Sequence, residues 1–117
     1  MRHRKKIKKL GRPTGHRVLM LRNQQTQLFK SGKLETTEVK ARATKRVAEK
    51  TLTIAKQETL AAKRQVRKVV NDPVAFRRVF EEYVPRYKDR PGGYVSLIKL
   101  PPRRGDAAKM AILTLLD

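Results

Sequence analysis

The side chains in this sequence with chemistry to offer are mostly cations. Eleven Lys or Arg residues precede the first acid, Glu35, and eight of them fall between Met1 and Arg17: Arg2, Arg4, Lys5, Lys6, Lys8, Lys9, Arg12 and Arg17. Groups at this density neutralise phosphates and release condensed counterions, and guanidinium forks take phosphate oxygens in pairs. Over 117 residues, 30 Lys and Arg stand against 10 Asp and Glu, a formal charge of +20. That repulsion opposes a compact state unless a polyanion or counterions screen it. A nucleic acid is the implied partner. RNA is favoured over duplex DNA because no helix-turn-helix, zinc or basic-zipper pattern is present to dock a major groove. The bland alternative for the basic start is a nonspecific solubilising tail.

Further cations sit at two turns. Arg103 and Arg104 head the loop Arg103-Arg104-Gly105-Asp106, while Arg86, Lys88 and Arg90 approach the Pro91-Gly92-Gly93 turn. Bidentate phosphate contact is one reading, and ordinary solvated loop arginine is the other. The Arg-Gly-Asp tripeptide, without secretion features around it, is read as coincidence. A competing enzyme reading would use His3 and His16, the two histidines, as acid and base in RNA cleavage, with Lys or Arg steadying the phosphorane. Nothing in the sequence holds both at one scissile phosphate. No phosphate-cradling glycine loop, metal-ligand cluster or paired-carboxylate site beyond Glu81-Glu82 is seen. No catalytic residue, metal, cofactor or small-molecule substrate is therefore expected.

These cations need elements to position them. Residues 1–15 carry charge and glycine but little apolar besides Ile7 and Leu10, so they read as an extended RNA-binding arm, disordered until bound. Residues 16–117 are expected to form a single domain. Val18, Leu21, Gln25, Leu28 and Phe29 share one face of a helix from His16 to Lys30, with Thr14 as a candidate cap and Gly32 suited to the left-handed position after its end. Lys33 to Thr36 suits an edge strand, and Thr37 a cap for a second helix to about Lys56. There Val39, Ala43, Val47, Thr51 and Ile54 are expected to pack, leaving Arg42, Arg46 and Lys50 for phosphate. A third helix, Thr59 to Val70, puts Ala62, Val66, Val69 and Val70 on one side and Lys63, Arg64, Arg67 and Lys68 on the other. Solvated surface is the bland reading of both charged faces.

Asp72-Pro73 starts a further helix, the proline at the first position where its missing N–H costs nothing. Its stripe of Phe76, Val79, Phe80 and Tyr83, expected to close at Pro85, reads as core rather than a base-stacking face. Tyr94 to Leu100 and Lys109 to Leu116 read as strands, most simply an antiparallel pair joined by residues 101–108. The expected fold is α+β in two layers: helix, strand, three helices, two strands, with the helices on one face of a small mixed sheet.

The sequence holds no cysteine, which fits a reducing compartment such as the cytosol. The apolar run Val18 to Leu21 is far short of a signal-peptide core of roughly 7 to 15 residues, so no secretion signal is expected. A mitochondrial transit peptide fits less well, since the acid-free start is rich in Lys rather than Ser. Met110 to Leu116 is too short to span a bilayer, so no membrane is expected.

Met1-Arg2-His3-Arg4, Leu10 with Arg12 and His16-Arg17, Arg22-Asn23, Thr36-Thr37, Gly92-Gly93-Tyr94, and Gly105-Asp106 with Met110-Ala111 resemble the bacterial large-subunit ribosomal protein family numbered seventeen. The resemblance runs in order along essentially the whole chain. It implies the same succession of elements and a structural role in the large ribosomal subunit. It further implies contact with 23S-type ribosomal RNA in the cytoplasm, near the peptide-exit side and beside the ribosomal protein numbered thirty-two. The family's basic motif maps onto Arg2, His3, Arg4, Arg12, His16, Arg17 and Arg22. With Lys5, Lys6, Lys8, Lys9, Arg90, Arg103 and Arg104 these make the expected RNA-binding set. The sequence departs from the family at Val95-Ser96, where a basic residue is common, and in having no variable tail after Asp117.

Overall fold

The structure, a computed structural model, describes residues 14–117. Arg2, His3, Arg4, Lys5, Lys6, Lys8, Lys9 and Arg12 lie outside the described residues, while Thr14 and Gly15, counted above with the arm, are in the first helix. The elements are α1 (Thr14–Ser31), β1 (Lys33–Thr37), α2 (Glu38–Ala55), α3 (Leu60–Val69) and α4 (Pro73–Arg78). From α4 the chain continues through a π turn (Val79–Tyr83) into α5 (Val84–Arg86), then β2 (Val95–Leu100) and β3 (Met110–Leu115). With α4, the π turn and α5 taken as one run, this is the expected α+β succession.

The three strands lie in the order β1-β3-β2, and both pairings are antiparallel. The sheet is thus not mixed as expected. β1 and β2 run the same way but never meet, because β3 lies between them. Leu34, Leu113 and Leu97 stand abreast across the strands on the inner face, where β3 also buries Ala111 and Leu115. Alternation sends Ile112 and Ile98 to the other face, and Ile98 is exposed. α2 lies against all three strands on the inner side, and α1 packs on α2 and on the α4 run.

Local rules set the element ends. Gly32 adopts φ +84° and donates its N–H to the Leu28 carbonyl at 2.7 Å, closing α1 as expected. Thr59 caps α3 by accepting from Ala62 N–H at 3.0 Å, and Asp72 caps α4 by accepting from Val74 at 2.8 Å and Ala75 at 3.2 Å. Thr37 occupies the cap position of α2, but its side chain makes no cap bond. The strand supplies a partner instead: Glu38 N–H donates to the Lys109 carbonyl at 2.9 Å, one step beyond the Thr37–Met110 pair.

The buried face of α2 is Ala41, Thr44, Ala48, Thr51, Leu52 and Ala55, a correction to the expected Val39, Ala43, Val47, Thr51 and Ile54. Val39 is exposed. Larger side chains on that face would hold α2 away from the sheet and α1, whereas Ala and Thr let the backbones approach, and the threonines bond across. Thr44 donates to Gln24 Oε1 at 2.5 Å and Thr51 to buried Gln25 Oε1 at 2.7 Å.

The helical run ends at Arg86, one residue past Pro85. Mid-helix this proline would lack an N–H and crowd the carbonyl four residues back, but the π turn precedes it and Pro85 sits in the first positions of α5. On this run Val79 and Tyr83 are core, while Phe76 and Phe80 are only half-buried, with ring centres 5.0 Å apart.

The core carries an aromatic column that the stripe reading missed. Phe29, Tyr83, Tyr87 and Tyr94 are buried in succession, with centroid separations of 6.1, 6.5 and 5.0 Å. Each phenol finds a carbonyl: Tyr83 donates to Phe29 at 2.7 Å, Tyr94 to Arg90 at 3.2 Å, and Tyr87 to Leu116. The last carbonyls of α1 have no helical partner of their own, and Tyr83 and Arg78 satisfy those of Phe29 and Lys30. Tyr83→Phe keeps the ring but leaves the Phe29 carbonyl unpaired in the core, so urea unfolding should show a loss of about 1–3 kcal/mol. Stability unchanged from wild type would contradict this role for the hydroxyl.

Candidate nucleic-acid interface

Seven of the 30 Lys and Arg lie in residues 2–12, so twenty-three stand against all ten acids in residues 14–117. Which of them could meet phosphate depends on how each is held. Arg103 is held internally: its Nη2 donates to Asp106 Oδ2 at 2.6 Å and its Nε to Oδ1 at 3.2 Å. Asp106 also accepts from Ala108 N–H at 3.1 Å, within a turn that carries Gly105 at φ +101° and Ala107 at φ +54°. Arg103 thus shapes the turn, and Arg104 is exposed beside it.

Arg90 is half-buried, its guanidinium donating to the Gly93 carbonyl at 3.4 Å. The Arg90 carbonyl accepts from Lys56 Nζ and Tyr94 Oη, which are 3.0 Å apart. Gly93 at φ +66° completes this tie between the end of α2 and the start of β2. The two predicted arginine loops sit at opposite ends of β2, whose six residues span roughly 20 Å at about 3.3 Å each, so they form separate patches. Arg86 lies over the Tyr83 and Tyr87 rings, at 5.4 and 5.9 Å, and Lys88 is exposed nearby. On α1, His16 is exposed and Arg17 and Arg22 are half-buried. His3 lies outside the described residues, so the acid–base pair of the nuclease reading is not brought together in them.

The α2 cations come together as expected. Arg42, Arg46 and Lys50 recur every four residues and line one wall of an open cleft of about 940 Å³. Lys45 and Glu49, which sequence reasoning did not single out, line it too, and Ile54, Leu97, Tyr94 and Gly92 complete it. Arg42 pairs with Glu38 at 2.6 Å, and Lys99 reaches the same oxygen at 3.8 Å. A second, smaller groove lies between α3 and the α4 run, with Lys63 over Phe80 at 5.8 Å and Arg67 over Phe76 at 5.4 Å. Helical spacing marks both cationic faces in the sequence. The spacing gave no sign that β2 closes the first into a cleft, because that is a tertiary fact.

No group of three or more potential metal ligands occurs among the described residues. No helix among them is long and apolar enough to cross a membrane.

Four carboxylates are held below their ordinary range. Hydrogen bonds from Arg42 to Glu38 and from Arg78 to Glu82 lower those two, and the Ala75 N–H leads the lowering at Asp72. Arg103 followed by Ala108 N–H brings Asp106 down to about 2. A depressed carboxylate adds stability above its unfolded value and loses it as pH falls through the folded one. Stability should therefore be level above about pH 5 and decline below about pH 4. Thermal melts check the trend, and carboxyl NMR checks its source: Asp106 should titrate near 2, and Arg103→Ala should return it toward ~3.9.

The profile of the family described as ribosomal protein L17 matches residues 20–116. A large ribosomal subunit protein bL17 of Alkaliphilus metalliredigens is 50% identical over 109 residues, covering 93% of this chain and 96% of that protein. The bL17 of Clostridioides difficile is 49% identical over 111 residues, covering 95% and 98%. That of Clostridium botulinum strain Hall is 49% identical over 109 residues, covering 93% and 96%.

Proposed function

The chain belongs to the ribosomal protein L17 family, and on that premise we propose that it binds 23S-type ribosomal RNA and supports assembly of the large subunit. Its setting is the large ribosomal subunit, in the cytoplasm, and its family is one of structural rather than catalytic proteins. The observation that carries the RNA reading is the surplus of cations over acids in a body whose acids are partly engaged in its own fold. Asp72, Glu38, Glu82 and Asp106 each pair with a neighbouring cation, while Lys50, Arg64 and Lys68 are exposed along α2 and α3.

Residues 1–15 act in this reading as a phosphate-binding arm, and residues 16–117 as the domain that sets the arm's position. Arg2, His3, Arg4, Lys5, Lys6, Lys8, Lys9, Arg12, His16, Arg17 and Arg22 form the main RNA-facing set. Arg90, Arg103 and Arg104 contribute at the rim, Arg103 through the shape of its turn. Its protein neighbour is the ribosomal protein numbered thirty-two, at the peptide-exit side. No catalysis or small-molecule substrate is involved: purified protein should leave labelled RNA intact, and cleavage abolished by His16→Ala would overturn this part.

If about six or seven arm cations meet phosphates, the slope of log K against log salt should be on the order of −4 to −6. Deleting residues 2–9 should flatten it by several units. An unchanged slope on deletion would assign the phosphate contacts to the body instead of the arm.

A further inference from the structure

We propose that the cleft between α2 and β2 receives an unpaired nucleobase of RNA, the base on its apolar floor and the adjoining phosphates on its cationic wall. This rests on the RNA reading above and adds a site to it. The wall is Arg42, Lys45, Arg46 and Lys50. From 42 to 50 the helix rises about 12 Å, at ~1.5 Å per residue, so the cations form a line and not a point. A line of cations suits a nucleic-acid backbone.

The floor asks for something other than phosphate. Ile54 and Leu97 are half-buried, pack against the core and still face the cleft. Phosphate gains nothing from aliphatic carbon, whereas the flat face of a base does. Glu49 lies among the cations, where its Oε1 accepts from Val95 N–H at 3.4 Å. A carboxylate repels a phosphate but accepts from the exocyclic amino group of a base. Duplex RNA keeps its base faces stacked inside the helix, so a cleft with an apolar floor selects a splayed, single-stranded nucleotide.

The site is also formed in advance. Lys56, Tyr94 and the Arg90 carbonyl fasten the floor of the cleft to the turn at its mouth, and Tyr94 is fully buried. Gly92 lines that mouth, and a Cβ placed there meets nothing within 4 Å. A side chain at 92 therefore meets no clash at its Cβ and adds bulk at the lining of the cleft without removing a charge.

The test uses the full chain with two probes of equal length and charge: a ten-nucleotide single-stranded oligocytidylate, whose bases carry an exocyclic amino group, and the same strand with its bases removed. Wild type should bind the ordinary strand at least about fivefold more tightly than the abasic one, the lower end for a stacked base. In Gly92→Leu and in Leu97→Ala that preference should disappear while the salt slope stays, because the cations remain. Thermal melts establish that each variant is folded, and the open space at Gly92 keeps one variant available should Leu97→Ala unfold. Equal binding of the two probes by wild type would overturn the proposal, leaving a phosphate groove only. A preference that survives in either folded variant would overturn it by assigning the base to another surface. Failure of the RNA reading looks different: neither strand would then bind with a steep salt dependence.

Discussion

Mutual repulsion among cations is the condition this fold has to meet. Twenty-three Lys and Arg surround the core of residues 14–117, and ten acids cannot neutralise them. Three of the four acids that pair do so where a helix begins or a turn closes: Asp72 caps α4 and meets Lys30, Glu38 opens α2 and meets Arg42, and Asp106 folds its loop around Arg103. Exposed pairs of this kind contribute little stability. Their effect is local geometry, and cohesion must come from elsewhere.

It comes from a small core whose polar groups are all accounted for. No buried side-chain nitrogen or oxygen among the described residues lacks a partner. The tyrosines do much of this. Each adds a large apolar ring to the column that begins at Phe29, and each hydroxyl closes a backbone carbonyl at an element end: α1 for Tyr83, the end of β3 for Tyr87, the Gly92-Gly93 turn for Tyr94. Burial raises the Tyr83 and Tyr87 phenols above their ordinary range, with Arg78 and Arg86 acting in the opposite direction, so both stay neutral donors at physiological pH. The same arginines lie over the rings. Cations that would otherwise only repel are thereby tied to the surface of the core.

Much of this was legible in the sequence because short-range chemistry decides it. Gly32 and Asp72-Pro73 announced helix ends, and two aliphatic runs joined by a loop announced the β2–β3 pair. The misreadings share a cause. The apolar spacing of α2 points to Val39, Ala43, Val47, Thr51 and Ile54, yet the helix lies so close to its neighbours that Ala48 and Thr44 face inward and Val39 outward. The π turn at Val79–Tyr83 has no local signature. Tyr87 and Tyr94 lie on different elements, so no periodicity links them, and the column they complete exists only after folding. Arg90 and Arg103 likewise sit at turns that β2 holds apart, a separation that only the folded strand sets.

The inward face of α2 also explains its outward one. Ala41, Thr44, Ala48, Thr51 and Ala55 seat the helix backbone close to the sheet and α1, fixed at Gln24 and Gln25 by hydrogen bonds. A helix seated on small residues has little room to rock, and its orientation determines where Arg42, Arg46 and Lys50 point. Large aliphatic residues at those positions could bury more area, but they would lift the cationic wall away from β2 and widen the cleft that Leu97 and Gly92 share with it. The feature least conspicuous in the sequence, a run of alanines and threonines at helical spacing, is thus what holds the conspicuous charges in register with the strand beside them.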